Sequence, residues 1–396
     1  MKEQELRNNL KQIRSRLGMS QQDLARLAGV TRQTISGVEA GQYAPSVAIT
    51  LRLAKALGCQ VENLFWLDQE LVTVEAIPAQ GFPEGQRSRV SLARIGDRWV
   101  AYPLTGDQVF QTEMIPADGE ANGPGSHRQA RDQAGDQSGD QSVQAGNRIP
   151  VTLFEDLARL RQTVVIAGWE PALSLWARAA ERWHPELRVR QVLMNSRDAL
   201  QSLLQGEAHM AGMRLYDPQT NEHNLPFVQS ALRGQTAVVI GLGYFEEGLL
   251  TQPGNPKQLT TVASLSQPGV KIVNREVGSG SRLLLEQKLQ EAGIPVAAVD
   301  GFDQIVLNYQ EVARAVLSGA ADAGISTAAI AEVFGLGFIP LHRSRYDLVI
   351  LQSYLEEAPV QQLLSTLGHR KVLLQLQTLG GYDTRHTGEV IATLAG

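Results

Sequence analysis

The sequence has one cysteine, Cys59, in 396 residues. A single thiol excludes an internal disulfide and a cysteine-based zinc site. Long apolar runs are missing as well. None approaches the ~20 residues that span a bilayer, and the N-terminus lacks the roughly 7–15-residue apolar stretch of a secretory signal. A cytoplasmic protein without a membrane partner is the expectation. Net charge is only −5, which argues against a chain that adheres to nucleic acid along its whole length. The mild total conceals an asymmetry. Over residues 1–67 nine cations stand against five anions, a net +4, so the acidic excess lies in the remainder. That is a modest electrostatic footprint for a polyanion, confined to one end.

The length calls for more than one domain, and four regions differ in texture. Residues 1–68 are helix-periodic. Residues 69–115 form a small β segment: Leu71–Ile77 and Arg89–Ile95 alternate, and Arg98–Tyr102 follows the hairpin-like pair Gly96 and Asp97. Residues 116–149 are nearly all small or polar, with a near-repeat between Asp132 and Ser142. Such a stretch buries too little apolar surface to offset its ordering entropy, and it reads as a flexible linker. Its spaced aspartates fit no EF-hand or nonapeptide calcium pattern. In residues 150–396 the strand-like runs Thr163–Ala167, Leu187–Leu193, Thr236–Ile240, Val270–Val273 and Phe338–Pro340 alternate with helical stretches. Those are Pro171–Trp183, Arg197–Gln205, Arg282–Ala292 and Gln310–Leu317. The alternation predicts an α/β domain with a mostly parallel sheet.

Between Ser20 and Gly41 each position meets a mechanical need. Ser20 with Asp23 is a capping box that opens a helix, and Gly29 suits the left-handed residue that ends it. Thr31 caps the next helix, Gly41 stops it, and Leu24, Ala28, Val30, Ile35 and Val38 form a shared apolar seam. Leu6–Leu17 and Ala48–Leu57 supply flanking helices, the latter opened by Pro45 and Ser46, and Cys59 suits a core position. This pattern resembles the lambda-repressor-like (XRE-type) helix-turn-helix family over about Leu6–Leu67. The resemblance implies an all-α domain whose second motif helix enters the major groove. By position, Arg32 and Gln33 read bases, Arg on guanine and Gln on adenine, with Thr31 and Ser36 on the same face. Gln21 meets a phosphate and sets register. Gly37 leaves a contact position of the family without a side chain.

Further along, Val273–Arg282 follows a strand-like run and opens a helix. Gly278 and Gly280 permit a tight turn, while Ser279 and Ser281 add hydroxyls beside free helix N-terminal amides, an anion-binding geometry. The Gly-Lys-Ser/Thr ending of a P-loop and the third glycine of a dinucleotide fingerprint are both absent, and Gly241–Glu246 fails the same test. Gly254–Lys257, Asn274–Arg282, Ala321–Gly324, Phe338–Leu341, Arg345–Leu348 and Gly381–Thr384 occur in the order seen in one group. Over Thr163–Leu394 the chain resembles periplasmic-binding-protein-like domains related to molybdate-binding proteins. The resemblance implies a two-lobed (type II) α/β fold that senses a tetrahedral oxyanion, molybdate or tungstate, in the cleft. The expected donors are Ser279, Gly280, Ser281 and Arg282, opposed by Asn195 and Ser196, with Trp169, Glu170 and Tyr309 bordering the cleft. Three positions depart from the group. Relatives often carry Cys-Asp at Trp169 and Glu170, His at Arg214, and Thr-His at Asn308 and Tyr309.

The histidines show no metal-ligand spacing, and no metal or other cofactor is expected beyond the anionic effector. The chain reads as a multidomain, one-component transcription regulator, a homodimer on palindromic operator DNA. Two alternatives stand beside it. One is a regulator whose C-terminal domain senses another molecule or serves only dimerisation. The other is an enzyme, for which Glu170, Asp322 and Asp347 are scattered carboxylates without a nucleophile–base pair.

Overall fold

The computed structural model describes residues 6–67, 71–109, 114–123 and 148–395. It divides into two compact units, Met1–Val72 and Thr73–Gly396.

The first unit carries β1 (Leu6–Asn8), α1 (Leu10–Arg16), α2 (Gln21–Ala28), α3 (Arg32–Glu39), α4 (Val47–Leu57), α5 (Val61–Leu64) and β2 (Phe65–Leu67). Local chemistry sets these bounds. The Ser20–Asp23 capping box is formed, Gly29 closes α2 at φ 63°, and Ser46 caps α4. Leu10, Leu24, Ala25, Ala28, Ile35, Val38, Leu53 and Leu64 make one core, with Cys59 packed at its margin. The all-α expectation needs one correction. Leu6–Asn8 pairs antiparallel with Phe65–Leu67, so the two ends of the unit are tied by a short ribbon.

The second unit begins with a closed barrel of β3 (Thr73–Pro78), β4 (Arg87–Ile95), β5 (Arg98–Pro103), β6 (Gly119–Asn122) and β7 (Ile149–Leu153), in the order β3-β5-β4-β6-β7. The Gly96–Asp97 hairpin joins β4 to β5, with Gly96 at φ 56°. The barrel crosses the expected boundaries. Gly119–Asn122 lies in the stretch read as linker, and Ile149–Leu153 straddles the end of that stretch and the start of the one given to the α/β domain. Of the expected linker, residues 124–147 lie outside the described residues.

After α6 (Leu157–Leu160) come β8 (Thr163–Ala167), α7 (Pro171–Trp183), β9 (Arg188–Val192), α8 (Ser196–Leu204), β10 (Met210–Met213), β11 (Tyr216–Asp217), β12 (Glu222–His223), α9 (Leu225–Ala231) and β13 (Thr236–Thr251). Then follow β14 (Asn274–Arg275), α10 (Gly280–Glu291), β15 (Ile305–Val306), α11 (Tyr309–Leu317), β16 (Ala323–Thr327), α12 (Ala328–Phe334) and β17 (Gly337–Leu351). The chain ends with α13 (Gln352–Leu355), α14 (Ala358–Ser365), α15 (Arg370–Gln377) and β18 (Val390–Ala395). The large sheet runs β16-β13-β17-β10-β8-β9, with β18 against β13. Every residue of β8 is buried, as suits a strand covered on both faces.

The sheet is not mostly parallel. Only β8–β9 and β8–β10 are parallel, whereas β13 and β17 pair antiparallel with each other and with their other neighbours. The reason is architectural. One core cluster surrounds Val164–Ala167, Trp176 and Val349, and two others surround Leu285 and Val312, giving two lobes. The long β13 and β17 run through both lobes in opposite directions. The barrel docks on the first lobe: Tyr102 donates to the Glu207 carbonyl at 2.6 Å, and His209 bridges Val165 and Arg94.

Candidate functional site

Two places concentrate functional side chains, one in each unit. In the first unit, the Thr31 hydroxyl accepts from the Thr34 amide at 3.1 Å and fixes the start of α3. Arg32, Gln33 and Ser36 are exposed and have no polar partner among the described residues. Gln21 is differently placed. Its amide donates to Glu39 Oε2 at 2.8 Å, and Glu39 also takes Arg14 Nε at 2.6 Å, so the three side chains tie α1, α2 and α3 together. Burial pushes the Glu39 carboxyl up, but Arg14, Gln21 and Lys11 outweigh it and hold it below the ordinary value. Gln21, expected to meet a phosphate, is thus engaged within the chain in positioning α3.

Gly37 lies in mid-helix, and a methyl there meets only Tyr43 Cβ, at 3.7 Å. Gly37→Ala is therefore expected to stabilise this unit by about 0.5–1 kcal/mol through helix propensity. A lower thermal midpoint for the N-terminal transition would contradict that.

In the second unit the cleft centres on Arg214, which follows β10. Its Nη2 donates to Ser281 Oγ at 3.1 Å, and its Nη1 stands 3.2 Å from Glu247 Oε1 on β13. Ser281 Oγ also lies 3.2 Å from Glu247 Oε1 and 3.2 Å from the Tyr309 hydroxyl. It accepts from Arg214, and its single proton can go to either Glu247 or the Tyr309 hydroxyl. Ser344 donates to the other Glu247 oxygen. Arg214 stacks over Tyr309 at 4.9 Å, Arg275 at 5.0 Å, and Trp169 meets the same ring at 4.6 Å between centroids. Tyr309 is fully buried among them. Arg214 is 8% exposed, yet its Nε has no hydrogen-bond partner among the described residues.

Glu170 stands at the N-terminal end of α7 without a side-chain capping bond, accepts from Tyr382, and leaves Oε2 buried with no hydrogen-bond partner among the described residues. Burial pushes its carboxyl up to about 7, against the pull of Arg214 and Tyr382 and with a further push from Glu247. A carboxyl raised in the folded state adds stability that is full below its unfolded value of 4.5 and is lost as pH rises through about 7. Glu170→Gln removes that loss. The thermal midpoint of the variant relative to the parent is expected to climb between pH 5 and pH 7.5, by a free energy on the order of 3 kcal/mol. A pH-independent difference would contradict the burial argument.

Beside Arg214 lies a small recess of ≈ 20 Å³ whose lining includes Glu247, Gly280, Leu283, Tyr216, His223 and His342. The two imidazoles face each other, Nε2 to Nε2 at 3.3 Å. Burial, then His342 and Arg345, push His223 down to about 4, so the pair is neutral at neutral pH. Among the described residues no group of three or more His, Cys, Asp or Glu is placed to hold a metal ion.

The expected cleft residues fall into three sets. Ser196, Gly280, Ser281 and Tyr309 converge on Arg214: Ser196 Oγ accepts its backbone amide at 3.0 Å, and a Cβ on Gly280 would overlap its carbonyl oxygen, 2.2 Å away. Asn195 and Ser279 cap α8 and α10, with Asn195 Oδ1 3.5 Å from where a Gly278 Cβ would stand, so the starts of the two helices lie close together. Arg282 turns away, into an ion pair with Glu286 at 2.9 Å and over the Phe302 ring. Sequence reasoning placed Arg214 at the expected pocket, with an ion pair weighed against ligand contact, and the structure pairs it with Glu247; Glu247, Arg275, Ser344 and Tyr382 were not among the expected site residues. Glu247 had a signal, a charge inside the apolar run 236–251 on the face opposite the exposed Glu246. Asp322 and Asp347 are held structurally, by the Lys271 amide at 2.8 Å and by Arg345 and Asn224.

Residues 10–64 match the helix-turn-helix family and residues 177–368 match the PBP superfamily domain. The uncharacterized protein YvgK of Bacillus subtilis is 32% identical over 231 residues, covering 58% of this chain and 74% of that protein. The uncharacterized HTH-type transcriptional regulator YgzD of the same organism is 42% identical over 65 residues, 16% of this chain and 98% of its own. Among solved structures, an ABC-type phosphate transport receptor from Vibrio cholerae overlaps 56% of this chain and 99% of its own at 15% identity. The TM-score of that overlap is 0.39. With a capped α2–α3 pair at one end and a two-lobed α/β domain at the other, the chain belongs to the XRE-type helix-turn-helix regulators that carry a PBP superfamily domain.

Proposed function

We propose that this chain is a one-component transcription regulator that reads operator DNA through α3 and senses a small anion between the lobes of its second unit. The observation that carries the DNA half is the exposed, unpartnered set Arg32, Gln33 and Ser36 on a helix whose start is fixed by Thr31. Two copies on a palindromic site supply the length of contact that a single short helix lacks.

The sensing half is supported by the neighbouring starts of α8 and α10 and by Arg214 Nε, which is buried and has no hydrogen-bond partner among the described residues. Molybdate or tungstate is the effector that the resemblance to molybdate-binding relatives implies. Ligand closes the lobes about β13 and β17, and closure alters operator affinity. Titrating molybdate and tungstate against operator-bound protein tests this. A coupling of about 1–3 kcal/mol changes operator affinity about 5- to 150-fold. Unchanged affinity at saturating anion would sink the coupling.

A second reading has an observation in its favour. Trp169, Tyr309, Arg214 and Arg275 fill the space between the lobes with the chain's own side chains. On that reading the second unit serves dimerisation alone, and no anion stabilises it.

A further inference from the structure

We propose that Glu247 is the chain's own ligand for the interlobe anion site: its carboxylate takes the place at Arg214 that a soluble anion would take, and so closes the two lobes. The inference rests on the small-anion reading above and deepens it, by naming the group with which an effector competes. Three elements meet at this carboxylate. Arg214 follows β10 of the first lobe, Ser281 belongs to α10 of the second, and Ser344 to β17. Glu247 stands 3.2 Å from Arg214 Nη1 and 3.2 Å from Ser281 Oγ, and Ser344 donates to its other oxygen. Its place on β13 is where the strand passes between lobes: Phe245 lies in the core of the first, Leu249 and Leu250 in the cores of the second. There the pairing with β17 slips, with Glu247 opposite His342 and Gly248 opposite Pro340. Such a bulge re-aims side chains, and here Glu247 is 2% exposed beside the exposed Glu246.

Without a carboxylate the closed arrangement is unfavourable. Arg214 would face the N-terminal turn of α10 and the guanidinium of Arg275, which lies over the same Tyr309 ring. With Glu247 in place the charges match, Glu247 against Arg214 and Glu276 against Arg275 at 2.9 Å. A soluble anion added to that set is a surplus charge in a buried cluster. It also arrives beside Glu170, whose carboxyl burial already pushes up to about 7. Space imposes the same limit. The recess beside Arg214, ≈ 20 Å³, holds about one water molecule. A soluble anion therefore enters only where the Glu247 carboxylate leaves. Its apparent affinity is reduced by the fraction of chains in which that carboxylate is away.

The test begins with the thermal transition of the second unit in the full chain carrying Glu247→Ala. The heavy atoms removed, Cγ, Cδ, Oε1 and Oε2, are those of acetate. At constant ionic strength, sodium acetate is expected to raise the C-terminal transition of this variant saturably. Acetamide, of the same shape without the charge, is expected to leave it unmoved. The parent is expected to bind acetate about tenfold more weakly, or not at all, because Glu247 holds the place. Closure is read separately. Trp169 follows β8 of the first lobe and packs on Tyr309 of the second, and its acrylamide quenching is isolated by difference from matching Trp169→Phe chains. Glu247→Gln keeps the shape and loses the charge, and it is expected to raise that quenching; it carries the test should Glu247→Ala not fold. Equal acetate responses in parent and Glu247→Ala, absent ones included, overturn the proposal, as does quenching in Glu247→Gln unchanged from the parent. The small-anion reading is judged by the parent with molybdate and tungstate. A saturable rise there keeps that reading whatever Glu247 does. No rise there, with acetate bound by Glu247→Ala, leaves a site that the chain fills permanently for itself.

Discussion

Glu247→Ala is expected to destabilise the second unit by about 3–5 kcal/mol, because it leaves the Arg214 guanidinium buried and unpaired. Glu247 and Arg214 side chains are 2% and 8% exposed, so water cannot replace the lost partner without opening the lobes. The substitution also strips an acceptor from Ser281 and from Ser344. Differential scanning calorimetry separates this from a general effect. The two units are compact bodies of their own, so the C-terminal transition falls while the N-terminal one holds. Removing both charges in Arg214→Met/Glu247→Leu is expected to restore most of the loss, since a buried pair gains little over apolar packing of similar volume. A loss below about 1 kcal/mol in the single variant would mean that water reaches the pair.

Arg32→Ala is expected to weaken operator binding about 5- to 150-fold, the equivalent of the 1–3 kcal/mol that one bidentate base contact contributes. Gln33→Ala acts at a neighbouring base pair and by a similar factor. Both side chains are exposed and have no polar partner among the described residues, so stability is expected to move by less than about 0.5 kcal/mol. Affinity for unrelated duplex falls far less, because non-specific binding rests on total charge. Fluorescence anisotropy with operator and scrambled duplexes at one salt concentration reads both numbers. Equal losses on the two duplexes would make Arg32 a phosphate contact rather than a base reader.

The first unit was legible in the sequence because its rules are local. Ser20, Asp23, Gly29, Thr31 and Ser46 each act within four residues, and each stands where its cap requires. The β1–β2 ribbon was not legible, since three-residue strands at opposite ends of the unit form only through each other. The barrel shows the same limit. Gly119–Asn122 has the composition of a linker, and only its pairing with β4 and β7 makes it a strand. Alternation revealed the α/β class of the second unit. It could not reveal the antiparallel pairing of β13 and β17, because direction follows from how the chain passes between lobes.

The cleft was partly legible for a related reason. The Ser279–Ser281 turn carries glycine and hydroxyl chemistry within a few residues, from which an anion site was expected, whereas in the structure both hydroxyls have partners within the chain. Whether Arg214 meets a ligand or an internal partner depends on Glu247, 33 positions away along the chain. Arg282 illustrates the converse: it sits in the right turn, but Glu286 one helical turn on takes its guanidinium.

The central claim is that this chain reads DNA sequence through α3. Its most direct test is selection of bound sequences from a random double-stranded library by the full-length protein. The account predicts one enriched motif with two half-sites related by two-fold symmetry and spaced by about one helical turn. The Arg32→Ala/Gln33→Ala protein, folded by its thermal transition, is predicted to lose that motif. Recovery of no motif by the parent, or of the same motif by the variant, would contradict it.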